Sequence, residues 1–176
     1  MTLLSRLRIP AAYAAGIFIA AIFLDSLRFK FTGHETPQHI FTTLRDWSGI
    51  ELFYPAGPWI IGLAELGAAL LLLAAPLALR LIGQAKFAGL AQTLGGLAAV
   101  VVMTGAISFH LFTPLGIETP TAWADGEVIA SGPALFIAAC ITWLCGAAVA
   151  ALRGAEALAA LRELTGAKIK TAANAA

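Results

Sequence analysis

The stretch PWIIGLAELGAALLLLAAPLAL, Pro58 to Leu79, is a run of 22 residues whose only charge is Glu65, and it closes at Arg80. As a helix at about 1.5 Å per residue it reaches about 33 Å, enough for the roughly 30 Å hydrocarbon core of a bilayer. A soluble core helix needs one apolar stripe, whereas this run is apolar on all sides. Three more runs of the same kind flank it: Pro10 to Leu27, Phe87 to Phe112 and Pro133 to Leu152. The first follows Arg6 and Arg8 as a signal peptide would, but it shows no small-residue cleavage site before Asp25 and Arg28 and reads as a retained span. The expected fold is all-α, a membrane-embedded four-helix bundle.

Composition agrees. The 176 residues are 60% hydrophobic and 12% charged, with a mean hydropathy of +0.86, against roughly 45–50% apolar and about 25% charged in soluble domains. Four spans and their connections leave no room for a separate soluble catalytic domain. The chain divides into an N-terminus over 1–9, the four-span domain over 10–152 and a C-terminal helix and tail over 153–176. A net charge of +1 without a basic patch sets nucleic acid aside as a partner, leaving the lipid bilayer. Cys140 and Cys145 are five apart, about 140° around a helix, and read as small packing residues.

Lys and Arg outside the spans set the orientation. Arg6, Arg8, Arg80, Lys86, Arg153, Arg162, Lys168 and Lys170 fall on one side and Arg28, Lys30 and Arg45 on the other. The richer side, with both termini, is expected to be cytoplasmic; in a bacterium the membrane is the cytoplasmic (inner) one and the other face is outward. In the first outward connection, Thr36-Pro37 supplies an N-cap and a first-turn proline, and Ile40, Phe41, Leu44 and Trp47 recur at helical spacing. This predicts a short amphipathic helix over Pro37 to Trp47, lying at the membrane surface or folded onto the bundle, with Trp47, Tyr54 and Trp59 in an aromatic belt. The other outward connection, Thr113 to Gly132, is rich in Pro and Gly, has only acids (Glu118, Asp125, Glu127) and reads as a loop. After Arg153 an alanine-rich helix with Leu158 and Leu161 is expected to fray into Thr171 to Ala176.

Charges inside a bilayer cost about 2.5–3.5 kcal/mol at a helix centre on insertion scales, so each needs a reason. Glu65 lies seven residues into its span, Asp25 in the last turn of the first and His110 in the last turns of the third. Topology puts all three in the outer third of the membrane, where they are expected to converge. Gly62, Ala68 and Ala69 share the face of Glu65 and admit a neighbouring helix. Gln92, Gly96, Ala99, Met103, Ala106 and His110 form one stripe on the third span; Gln92 and His110 lie five turns apart. Such groups around a bundle axis can hold a proton, a ligand or a metal, or can only fix helix register, with Glu65 neutralised by His110, Lys30 or Arg28. Asp25 can pair with Arg28, three residues on. Lys30 can snorkel towards an anionic or carbonyl-bearing ligand. His34-Glu35 and His39 miss the zinc-protease HExxH spacing by one residue, with Pro37 between them, so they read as interface histidines and no metal is assigned. No nucleophile triad, phosphate loop or haem-attachment motif is present, so no reaction is assigned either.

Three segments resemble the DoxX family of small four-helix membrane proteins. Phe23-Leu24-Asp25-Ser26-Leu27-Arg28-Phe29-Lys30-Phe31 is similar to the family's serine-glycine-x-x-lysine close of the first span, with Leu27 where glycine is frequent. Gly62-Leu63-Ala64-Glu65-Leu66 is similar to its Gly-x-x-Glu-Leu, and His110-Leu111-Phe112-Thr113-Pro114-Leu115-Gly116 to the histidine-bearing end of its third span. The resemblance implies quinone-linked or thiol-linked redox at the outer membrane face and a protein partner in a complex. It carries Lys30, Glu65 and His110 over as site positions, to which the depth argument adds Asp25. Three functions stay open on the sequence: a redox-complex subunit binding a quinone or another small hydrophobic ligand, an anchoring or assembly subunit without a ligand, and a metal- or solute-handling membrane protein.

Overall fold

The computed structural model describes residues 3–173, with side chains described over 7–166; Arg6, Lys168 and Lys170 of the charge count lie outside the described side chains. Four helical rods are long and apolar enough to cross a membrane. The first is α1 (Leu3–Phe31). The second is α3 (Ala56–Ala69), continued through a π turn (Leu70–Ala74) into α4 (Ala75–Leu81). The third is α5 (Ala88–Phe112) and the fourth α6 (Ala134–Ala173). Between α1 and α3 lies α2 (Glu35–Ser48), and between α5 and α6 an antiparallel hairpin of β1 (Thr119–Ala124) and β2 (Glu127–Gly132). The rods alternate in direction. One end of the bundle therefore carries α2 and the hairpin, the hairpin end, and the other carries the start of α1 and the end of α6. The chain is an integral membrane protein with an all-α four-helix bundle as its body.

Ile19, Phe23, Ala68, Leu72, Ala99, Met103, Ala139 and Val149 make one core across all four rods. Lipid offers no hydrophobic gain for bringing helices together, so close approach has to come from small residues. Gly96 on α5 and Gly146 on α6 face each other: a Cβ at either would lie 2.8 Å from the other's carbonyl oxygen. On the adjacent face, a Cβ at Gly95 would meet Leu72 Cγ at 2.9 Å and the Leu72 backbone nitrogen at 3.0 Å. Two successive glycines thus let α5 sit against α6 on one side and the π turn on the other.

The π turn has its own support. Pro76 brings no N–H to the turn before it, and the carbonyl of Leu72, four residues back, accepts a hydrogen bond from Gln92 Nε2 at 3.3 Å. Gln92 is wholly buried. Gln92→Leu removes the donor while leaving the carbonyl in place, and is expected to cost about 1–3 kcal/mol, read as a lowered thermal midpoint by circular dichroism in detergent.

Three elements differ from the sequence expectation. The second outward connection is a hairpin. Asp125 (φ 50°) and Gly126 (φ 80°) both take left-handed backbone between the paired Ala124 and Glu127, which is the two-residue turn that matches strand twist. The cap of α2 is His34, whose Nδ1 accepts from the Thr36 N–H at 3.2 Å; Thr36 Oγ1 instead donates to the Pro120 carbonyl and accepts from Trp123 Nε1, at 3.3 and 2.9 Å, pinning the hairpin to α2. The alanine-rich helix expected after Arg153 forms, but it is not a polar tail that frays at Thr171. The fourth rod continues as one helix to Ala173, with Arg153, Ala157 and Ala160 buried. Arg153 donates to Glu156 at 2.9 Å, Arg8 donates to the Leu152 carbonyl, and Lys86 pairs with Glu163, so this extension is tied to the first and third rods. Thr171 is helical; 174–176 lie outside the described residues.

The amphipathic helix of the first connection forms as expected and folds onto the bundle. Pro37, Phe41 and Leu44 are buried and Trp47 is exposed. Its seat is Gly57 at the start of α3, where a Cβ would lie 2.5 Å from the Phe41 ring.

Candidate functional site

Glu65 is 2% exposed, and a lone carboxylate there would be unstable. It is met by Lys30, four residues from Ser26 and so on the same face of α1. Lys30 Nζ donates to both carboxylate oxygens at 2.7 Å and to Ser26 Oγ at 2.5 Å. Ser26 Oγ donates in turn to Glu65 Oε2 at 3.2 Å. The three protons of the ammonium are all used. The ion pair, with side chains 12% and 3% exposed, clamps α1 to α3 near the hairpin end.

A Ser-x-x-x-Lys spacing on a helix also raises nucleophilic catalysis, in which a neutral lysine takes the serine proton. This geometry opposes it. Lys30 sits as a donor on a carboxylate and has no lone pair to offer, and Ser26 directs its own proton to Glu65.

Above the pair the wall is aromatic. A Cβ at Gly62 would lie 2.5 Å from the Phe31 ring and 3.3 Å from Leu27 Cδ2, so a glycine on α3 provides the close approach of the two helices here. Phe31 then stacks on Trp59, with centroids 4.6 Å apart and planes 12° from parallel. Phe31, Trp59 and Lys30 line a half-open cleft of about 290 Å³ together with Thr32, Gly33, His34, Pro37, Gln38, Tyr54, Pro55 and Pro58. Its walls are the end of α1, the start of α2 and the entry to α3. Ligand pockets run from roughly 300 to 1,000 Å³, so this one suits a single ring or a short chain.

The other site candidates lie elsewhere. Asp25 does not converge with Glu65: it pairs with Arg28 at 2.9 Å, and its side chain is 61% exposed. Its place in the last turn of α1 fixed its depth but not its direction, and it stands one residue away from Ser26, which faces inward. His110 is buried but does not line the cleft. Its Nδ1 bonds the Gly116 carbonyl at 2.7 Å; a carbonyl only accepts, so Nδ1 carries the proton. The ring stands edge-on to Phe136 at 5.7 Å, closing the turn that leads into the hairpin. Of Glu65's candidate neutralisers, Lys30 is the one the structure supplies. Among the described residues, no three His, Cys, Asp or Glu side chains gather as a metal set would.

Ser26, Phe31, Tyr54 and Trp59 belong to the site although the sequence reading assigns them no site role, Trp59 reading, like Tyr54, as part of the aromatic belt. Ser26 lay within the resembling segment but received no role, although its i, i+4 spacing to Lys30 was available. Tyr54 had been assigned to the aromatic belt, yet it lines the cleft, and Arg45 of α2 lies over its ring at 5.9 Å. Arg45 is itself held by Asp46 at 2.7 Å, and that hydrogen bond pushes the guanidinium further above its ordinary pKa. The cation behind Tyr54 is permanent.

The chain matches no family model, no curated protein and no solved structure.

Proposed function

We propose that the chain is a DoxX-like membrane subunit of a redox-linked complex, binding a quinone or another small hydrophobic ligand at its hairpin end, with that end facing outward and both termini cytoplasmic. The observation that carries the reading is the aromatic cleft lined by Lys30, whose ammonium is paired behind the wall with the buried Glu65. A cleft at the end of a membrane bundle, with one stacked aromatic wall and a charge-balanced polar group in its lining, fits a flat molecule that partitions from lipid. The asymmetry of Lys and Arg supports the orientation. Since the sequence holds no motif for an electron carrier, the redox step itself belongs to a protein partner. Lys30 is the polar group of the lining and Glu65 holds it from behind; His110 acts on the hairpin connection, and Asp25 stands outside the site.

The test is uptake of decyl-ubiquinone by nanodiscs with and without the protein. Saturable uptake above that of empty discs is expected, weakened about tenfold by Glu65→Gln, which leaves the Lys30 ammonium without its counter-charge. Uptake that only follows lipid partition, or is unchanged in both Glu65→Gln and Lys30→Met, overturns the reading.

A second reading, an anchoring or assembly subunit without a ligand, draws on a different observation: the Gly96–Gly146 contact closes the α5–α6 seam backbone to backbone. In that case the ion pair would serve only to fix register.

A further inference from the structure

Lys30 is the cationic group of the cleft, yet it has nothing left to give. Its three N–H bonds end on Glu65 and Ser26, and a ligand atom could take one only by displacing a carboxylate or hydroxyl oxygen from a buried pair. Among the described residues, uncommitted donors on the rings of the cleft are those of His34, Tyr54 and Trp59; the Trp59 N–H lies in the plane of the ring that stacks on Phe31, so it points away from a ligand laid on that ring's face, and His34 and Tyr54 remain. His34 Nδ1 accepts the Thr36 N–H, which leaves the ring proton on Nε2, and that nitrogen has no partner among the described residues. The ring is held edge-on against Phe29 at 4.9 Å, so its direction is fixed by packing as well as by the cap. Tyr54 Oη likewise has no partner among the described residues, and its ring is backed by Arg45. Gln38 also lines the cleft; one N–H of its Nε2 goes to the Gly33 carbonyl at 2.7 Å, and the other stands as a further donor of the same wall.

We infer that His34 Nε2–H and Tyr54 O–H are the hydrogen-bond donors that hold the ligand, and that the ligand is a flat ring bearing a carbonyl acceptor, laid against the Phe31–Trp59 stack. This rests on the ligand-binding reading above and adds which side chains recognise the ligand. His34 is the cap of α2 and Tyr54 lies in the connection to α3, so these two donors take the carbonyl while the ion pair supplies the charge-balanced polar part of the same cleft. An ammonium engaged by Glu65 keeps the lining polar without competing for the carbonyl.

Binding of duroquinone, a fully methylated ring with no open position for addition of the two free cysteines, tests this by equilibrium dialysis against nanodiscs, with durene, the same methylated ring without carbonyls, as the second probe. Tyr54→Phe removes only the hydroxyl and keeps the ring under Arg45. His34→Asn keeps an acceptor for the Thr36 N–H, since asparagine is a good cap, and removes Nε2–H. Each is expected to weaken duroquinone about fivefold, the worth of one neutral hydrogen bond, and the double variant about 25-fold, with durene binding unchanged. Unchanged duroquinone binding in the double variant overturns the inference, and so does a parallel loss for durene, which would mark a packing effect. Wild-type protein that binds neither probe instead overturns the ligand-binding reading, and this inference with it.

Discussion

Lys30→Met is expected to destabilise the protein by about 3–5 kcal/mol, the usual cost of stranding one member of a buried ion pair. Among the described residues Glu65 would keep Ser26 as its only neighbouring donor, and a hydroxyl does not balance a carboxylate that is 2% exposed. The apolar double variant Lys30→Met with Glu65→Leu is expected to recover most of the loss, because replacing both partners removes the desolvation penalty together with the attraction. Denaturation with increasing sodium dodecyl sulfate in mixed micelles, followed by helical ellipticity, measures both. Recovery in the double variant with loss of decyl-ubiquinone uptake would separate the pair's role in the cleft from its role in the fold. A double variant as unstable as Lys30→Met would show that the helices need the hydrogen bonds themselves.

The second large effect is expected at Gly96. A side chain there meets not a movable side chain but the α6 backbone, with the Gly146 carbonyl at 2.8 Å and the Ala150 nitrogen at 3.2 Å from the first carbon. Gly96→Leu forces the two rods apart along the longest seam of the bundle and is expected to cost about 3 kcal/mol or more. Gly105, on the same helix, has nothing within 4 Å of its would-be Cβ. Gly105→Ala is therefore expected to be neutral or to gain up to about 1 kcal/mol from helix propensity. The same mixed-micelle denaturation reads both, and equal effects at the two positions would refute the seam as the cause.

The four rods were legible because length and hydropathy report directly on a membrane-crossing helix, and α2 was legible because a 3.6-residue period survives in Ile40, Phe41 and Leu44. The stripe from Gln92 to His110 was legible for the same reason: Gln92, Gly96, Ala99, Met103 and His110 are all buried. Depth, however, is only one coordinate. Asp25 and Ser26 share a depth, and the 100° between consecutive residues sends one to the surface and the other to Glu65; the helix phase that decides this is set by Gly62 and Phe31, on the opposing rods. The hairpin was missed because Pro114, Gly116 and Pro120 dominate the composition of the connection, while its one informative pair, Asp125-Gly126, is two residues in twenty. The π turn leaves no period to read. Its signature is a proline in a span and a glutamine on a different helix, and only contact between them relates the two.

The Lys30–Glu65 clamp also bears on how the chain enters the membrane. The second rod, alone in lipid, would carry Glu65 uncompensated, a charge whose insertion cost reaches about 2.5–3.5 kcal/mol at a helix centre, and its partner lies on the rod synthesised just before it. The first two spans therefore have reason to leave the translocation machinery as a pair, the earlier one waiting at its edge until the carboxylate arrives. The glycine-based α5–α6 seam involves no charge and can close afterwards, so biogenesis would run from an electrostatic hairpin to a steric one.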